Sequence, residues 1–325
     1  MAELIKRLRR WKESTTTSPS RRHLGHYRSL LPPSNYNLSN YLVEPAGKIL
    51  SVHLHLLNFC ATTGYSLHRW HKIVTMMIPK EHNNFKIHCL HVIHIYEADL
   101  TVLFSIWSKR MVHASTAASC LNPGSFGARP GKTSSDPAFI GLLQHEISAI
   151  TCSNLSIAPN DAAQCYDQII PNHAMLSCLS HGMAPTAATC IGSTLQHARY
   201  FLCTAINESS NYWTHSPTTP IYGTGQGSGI SPGICCVTFS DLFDVHTTIS
   251  NGSTYISPVS NTKTTIHNIG YVDDTTTTIN DHHLPCPYDI DQLSNMIQTD
   301  LQHWSNVLYI SGGAVEFSKT ELFII

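Results

Sequence analysis

The sequence predicts an α+β fold in which helices and strands alternate, and three observations predict it. Apolar residues recur at helical spacing at Ile290, Leu293, Ile297, Leu301, Trp304 and Leu308, with Gly312-Gly313 near where a helix stop falls. β-branched residues flank Tyr271-Val272-Asp273-Asp274 from Thr264 to Ile279, which reads as strand, tight turn, strand. Ser231-Pro232 suits the N-cap and N1 positions of a further helix through Leu242.

Taken in order, residues 1–45 are basic and polar. They are low in complexity from Ser14 to Ser20 and broken at Pro32-Pro33, and they read as an extension. Residues 46–115 carry helix-like and strand-like apolar segments, and a Gly/Pro-rich loop follows at Asn122 to Pro137. Leu155 to Ala158 reads as a strand running into the acidic segment Asn160 to Asp167. The pattern Ile169, Ile170, Ala174, Met175 and Cys178 continues it as a helix. Ile191, Leu195, Ala198, Leu202 and Ala205 predict another helix.

Composition narrows the function classes. With 325 residues and 42% hydrophobic content the chain can bury a sizeable core. Its apolar runs are too short for a membrane span. Lys6 to Lys12 leads into Ser/Thr-rich sequence and not into an apolar segment, so no signal peptide is expected and an intracellular protein, nuclear or cytoplasmic, is. The eleven cysteines show no metal spacing and read as reduced, mostly core thiols. No dinucleotide fingerprint or Walker loop is complete, so no redox cofactor is expected. Residues 1–132 hold 17 Lys/Arg against 6 Asp/Glu, and residues 133–325 hold 3 against 15. A basic half attracts phosphates, and an acidic half can hold a divalent cation.

The acidic half carries the chemistry. Asp273 and Asp274 sit at a hairpin tip, where adjacent carboxylates repel each other unless a cation sits beside them. Asp161 stands at a strand end and can face that tip from a neighbouring strand. Three converging carboxylates suffice for two Mg²⁺ ions. Between them, Gly223 to Pro232 places four glycines in seven residues before a helix N-terminus. That allows close backbone approach and favours anions.

These residues, in this order, resemble a reverse transcriptase, and most closely the non-LTR retrotransposon type. Asp161 to Asp167, with Tyr166 five residues after Asp161, resembles the first palm motif. Gly225-Gln226-Gly227-Ser228 with Ile230-Ser231-Pro232 resembles Q-G-S-x-x-S-P. Tyr271 to Asp274 is the Y-x-D-D box with Val272 at x. Trp304 to Lys319 resembles the segment that carries a lysine. Upstream, Ile78-Pro79-Lys80 resembles a fingers I-P-K motif, and His91-Val92-Ile93 with Glu97-Ala98-Asp99 the next one. The resemblance covers about residues 65–325.

The resemblance implies a right-hand polymerase with fingers at 46–150 and an α+β palm at 151–325, and no thumb, ribonuclease H or endonuclease is expected in this sequence. It implies transfer of a dNTP to a primer 3′-OH on an RNA or DNA template, with two Mg²⁺ (or Mn²⁺) held by Asp161, Asp273 and Asp274. By the same resemblance Tyr166 is a steric gate against a ribose 2′-OH, Gln226 and Gly227 contact the incoming nucleotide, Val272 sits beside it and Lys80 touches the triphosphate. Lys319 is either a proton donor to pyrophosphate or a solvated lysine. Asp167 reads as a helix-surface residue.

Three features depart from the pattern. His91 stands where the family usually offers Arg, Pro159 lies in the strand that leads to Asp161, and Lys/Arg are scarce after residue 132. His88, His91, His94, His282 and His283 have no convergent zinc spacing. The excess of His, Thr, Ile, Asn and Cys is what C-to-T decay of a coding strand leaves. The sequence therefore supports both an active polymerase and a degenerate, inactive remnant that at most binds nucleic acid. An RNA-templated RNA polymerase fits less well, because Tyr-Val precedes the Asp pair and a bulky residue holds the gate position.

Overall fold

The computed structural model describes residues 1–10, 18–22, 24–33, 36–84, 86, 89–163, 165–204, 207–216, 222–282, 284 and 286–325. Lys12, Ser14 to Thr17, His88, Gln164, Ala205 and His283, which the sequence reading used, lie outside them.

In chain order the elements begin with α1 (Ala2–Arg10), α2 (Leu24–Arg28), α3 (Leu38–Tyr41), α4 (Pro45–Thr63), β1 (Lys72–Pro79), β2 (Leu90–Ile95) and α5 (Ala98–Ala117). Then come α6 (Ser135–Thr151), β3 (Leu155–Asp161), α7 (Cys165–Gln168), α8 (Pro171–Ser180), α9 (Pro185–Gln196), β4 (Arg199–Cys203) and β5 (Glu208–Thr214). The chain finishes with α10 (Ser231–Ile249), β6 (Ser253–Ile256), β7 (Lys263–Ile266), β8 (Asn268–Tyr271), β9 (Asp274–Asn280), α11 (Ile290–Ile310) and β10 (Phe323–Ile324). Among the described residues no helix is long and apolar enough to cross a membrane.

The chain forms two compact units, Met1–Met111 with Gly182–Ser231 and Val112–His181 with Pro232–Ile325. The first holds a sheet of order β2-β1-β4-β5, in which β1 pairs antiparallel with β2 and parallel with β4. Its core includes Leu50, Trp70, Ile73, Leu100, Phe104 and Ile191. Asp99 is buried and accepts from Trp70 Nε1 at 3.1 Å and from the Arg69 guanidinium, which pins the start of α5. Glu97 accepts from the Ser20 amide at 2.7 Å. α1 belongs to this unit with Leu4, Ile5 and Leu8 buried, so its apolar stripe is structural.

The second unit holds an antiparallel sheet of order β10-β3-β9-β8. Residues alternate across a strand. Ala158 faces α11, in a cluster with Ile279, Leu293 and Ile297. Asn160 points the same way, and Trp304 Nε1 of α11 donates to its Oδ1 at 3.0 Å. Ile157, Pro159 and Asp161 therefore line the opposite face.

Four expectations need correction. The helix read through Ile191 to Ala205 ends at Gln196, because the aromatic-rich Arg199–Cys203 adds to β1 as a parallel strand. The helix read from Ser231 extends to Ile249, and the Ser231 hydroxyl is no cap: it donates back to the Thr224 and Gly225 carbonyls at 2.9 Å each. The strand before the Asp pair is split at His267, with β7 pairing β6 in a separate sheet.

The fourth correction concerns Pro159, which lies inside β3 without breaking it. Leu155 exchanges both backbone bonds with Ile325, so Ile157 and Pro159 point their backbone groups the same way, toward β10. The donor that Pro159 lacks therefore faces the edge strand, and the β3–β9 register runs unbroken from Leu155↔Asn280 to Asp161↔Asp274.

Candidate functional site

The pairing Asp161↔Asp274 brings two distant acidic segments together at one end of the second unit's sheet. Asp161 closes β3, Asp274 opens β9, and Asp273 sits in the two-residue turn between β8 and β9. One oxygen of each carboxyl lies within 4.8 Å of the others, the one such gathering of three or more His, Cys, Asp or Glu side chains among the described residues.

The turn is held under strain. Val272 has φ +65, a conformation that costs a β-branched residue of order 1–3 kcal/mol and persists only where its surroundings enforce it. The Phe126 amide donates to the Gly270 carbonyl at 2.9 Å and the Gly270 amide to the Gly124 carbonyl at 2.8 Å. A Cβ on Gly127 would lie 2.6 Å from the Val272 nitrogen, so only glycine lets this loop close over the turn. The Ala162 amide donates to the Asp273 carbonyl at 3.0 Å, which ties the turn to the end of β3.

Electrostatics follow from this crowding. Burial pushes the Asp273 carboxyl above the usual carboxylate range, and the charges of Asp161 and Asp274 add to it. Lys319 opposes them. Its ammonium pairs with Asp161 Oδ2, and that hydrogen bond, with the Asp161 charge behind it, raises the lysine above its ordinary value. Lys319 is therefore a protonated partner of Asp161 at neutral pH, a contact that sequence reasoning left between two roles.

The route by which Lys319 arrives passes Pro159. The Glu321 amide reaches the Pro159 carbonyl at 3.2 Å, but Pro159 has no amide to return. The chain leaves the strand there in a 3-10 turn at Phe317–Lys319, and it rejoins β3 where the Glu316 amide donates to the Asp161 carbonyl at 2.8 Å.

Tyr166 lies in α7 of the same unit. Burial pushes its hydroxyl up, with Cys235, Cys165 and Asp273 adding to the effect. A cleft of about 370 Å³ opens on the Asp161 face of the sheet, lined in part by Ile157, Pro159, Tyr271, Asp274, Thr276 and Phe323.

Lys80, His91, His94, Gln226 and Gly227 belong to the first unit. Lys80 follows β1, exposed, with its amide bonded to the Cys89 carbonyl at 2.9 Å. His91 is exposed on β2 opposite Ile78. The Gln226 carbonyl accepts from the His94 amide at 2.8 Å. Gly227 has φ +109, and a Cβ there would lie 2.4 Å from the His94 carbonyl oxygen. The glycine-rich loop thus lies against β2, and its glycines are required by that approach. Trp304 and Asn160 brace the strand next to Asp161, a contact that neither the periodicity at Trp304 nor the acidic segment around Asn160 announces.

Apo telomerase from Candida tropicalis, truncated from its C-terminal domain, aligns with a TM-score of 0.52 at 12% identity, over 93% of this chain and 60% of that one. Telomerase from Candida albicans in complex with the TWJ fragment of telomeric RNA aligns at 0.50 and 11%, over 85% of this chain and 46% of that one. The corresponding Candida tropicalis complex aligns at 0.50 and 11%, over 86% and 45%. The fold is reverse-transcriptase-like. The chain spans 45–60% of the length of these structures. No family model matches the sequence, and no curated protein matches it.

Proposed function

We propose that the chain performs template-directed DNA synthesis as a reverse transcriptase of retrotransposon type. The observation that carries this is the gathering of Asp161 with Asp273 and Asp274 at a hairpin tip, on a reverse-transcriptase-like fold. The retrotransposon type rests on the sequence motifs alone.

All three donors are carboxylates, the hard oxygen ligands that suit Mg²⁺ or Mn²⁺, and Lys319 already pairs with one of them as a tethered cation. Asp161, Asp273 and Asp274 would hold two such ions, which when bound activate the primer hydroxyl and neutralise the triphosphate. The chain's own residues do the rest. Val272 and the Gly124–Gly127 loop fix the turn so that Asp273 and Asp274 keep their places. Tyr166 acts as the gate against a ribose 2′-OH. Gln226 and Gly227 take the incoming nucleotide, and Lys80 attracts its triphosphate. Lys319, protonated beside Asp161, holds the proton that a leaving pyrophosphate accepts. Two of the similar telomerases hold an RNA fragment, and an RNA template with primer is the partner proposed for this chain.

A second reading is a degenerate copy that has lost catalysis. Two observations favour it: His91 in the place of an arginine, and a second unit with only 4 Lys/Arg against 14 Asp/Glu. Primer extension on a homopolymer RNA template with Mg²⁺ and dNTP separates the readings. The polymerase reading expects extension, a loss of at least about 100-fold in Asp273→Asn, and ribonucleotide incorporation in Tyr166→Ala. Equal products from Asp273→Asn and the parent sink the polymerase assignment. No extension by a folded parent chain supports the degenerate copy.

A further inference from the structure

The charge asymmetry of the sequence has a structural counterpart. The first unit carries 16 Lys/Arg against 7 Asp/Glu, so it is the unit to which a polyanion is drawn. On its sheet, β5 is an edge strand, and Trp213 on it is 61% exposed. The other described tryptophans, Trp70, Trp107 and Trp304, are 0%, 8% and 0% exposed.

Trp213 ends a run of rings. His94 of β2 lies 5.2 Å from Tyr200 of β4, Tyr200 lies 5.4 Å from Trp213, and Trp213 lies 4.7 Å from His215. Tyr200 also meets His215 edge-on at 5.6 Å. The indole thus packs against two rings that also touch each other, one tilted and one edge-on, which leaves ring surface facing water in a fixed orientation. Burial pushes His94 down to about 4 and also lowers His215, so at neutral pH these rings are uncharged stacking surfaces. The inner end of the run abuts the glycine-rich loop, through the His94 amide on the Gln226 carbonyl. On the opposite face of the same ribbon, Arg199 lies 5.8 Å from the Tyr212 ring and Lys72 lies 4.8 Å from Phe201 and pairs with Glu208.

We propose that the His94–Tyr200–Trp213–His215 run is a stacking platform for unpaired bases of a single-stranded nucleic acid, leading to the Gln226 loop. An exposed aromatic ring held in place on a positively charged unit is what sequence-tolerant single-strand binding needs. A peptide adding to the β5 edge would use backbone groups and would have no need of a held indole or of the surplus cations. That the strand is a template rests on the polymerase reading, whereas the platform itself does not.

The test uses the full chain carrying Trp11→Phe and Asp273→Asn, in EDTA, so that catalysis plays no part. Fluorescein-labelled rU12 and dT12 are titrated by anisotropy, beside an abasic oligomer of the same length and a 12-base-pair duplex. Indole emission is read in parallel. The proposal expects rU12 or dT12 to quench the indole. It expects binding about 5- to 150-fold weaker in Trp213→Ala, from a stacking contribution of ~1–3 kcal/mol per base, and largely retained in Trp213→Phe. It expects the abasic oligomer and the duplex to bind at least 5-fold more weakly than rU12. Unchanged affinity in folded Trp213→Ala, or abasic binding equal to rU12, overturns it. An inactive chain that binds through Trp213 leaves the platform standing, and an active chain that binds without Trp213 leaves the polymerase standing.

Discussion

Replacing Asp273 by Asn removes one negative charge from a cluster whose oxygens lie within 4.8 Å of one another. At an effective dielectric near 20, two unit charges at that separation repel by about 3.5 kcal/mol. The Lys319 ammonium offsets part of this, and solvent around the half-buried carboxyl screens much of the rest, which leaves a relief of about 1 kcal/mol. Because burial and its neighbours raise Asp273 above its unfolded value, the cost is absent at low pH and grows as pH rises through the folded pKa. Without divalent ions at pH 7, Asp273→Asn should therefore melt about 2 °C above the parent. Adding 10 mM Mg²⁺ should close the gap. A millimolar site stabilises the parent by about 1.4 kcal/mol, and a tenfold weaker one stabilises the variant by about 0.4. Thermal melts by circular dichroism, with and without EDTA, read both effects. A variant that melts lower in EDTA, or that gains as much from Mg²⁺ as the parent, refutes the electrostatic account of the site.

Two further outcomes are expected. Trp304→Phe leaves the buried Asn160 Oδ1 without its donor, so urea unfolding should show a loss of about 1–3 kcal/mol. Mn²⁺ affinity should fall with it, because Asn160 adjoins Asp161; an unchanged midpoint would disprove the brace. His94 and His71 are both pushed down to about 4, chiefly by burial. Their neutral forms are the ones the fold accommodates, so their contribution is complete above the unfolded value near 6.5, is lost as pH falls, and levels off below about 4. His94→Gln should flatten the stability profile between those limits by on the order of 2 kcal/mol, and an equally steep acid limb would contradict this.

The site's ingredients were legible because their chemistry is local. An Asp at the end of an apolar run, and an Asp pair between two β-branched runs, announce strand ends without any knowledge of pairing. Once β3 and β9 lie side by side, the alternation of side chains puts Asp161 and Asp274 on one face. What was not legible depends on partners far along the chain. β1 joins β4 across more than a hundred residues, and the apolar spacing of Leu195, Ala198 and Leu202 fits a helix as well as the helix-to-strand break that occurs. Lys319 was found by motif, whereas its ion pair with Asp161 depends on the detour at Phe317–Lys319. Pro159 reads as a strand breaker because a sequence does not reveal which side of a strand faces an edge.

That proline has a mechanical outcome. A lysine mounted on a continuous strand would have its backbone fixed by ladder bonds, so only its side chain could move away from the carboxylate. Here it rides on a short excursion bonded to β3 at both ends, on the side of β3 away from β9, so its backbone takes no part in the β3–β9 ladder. The missing donor thus leaves the ladder open where the chain carries its own counter-ion, and the pairing of β3 with β9 keeps Asp161 and Asp274 in register independently of that segment.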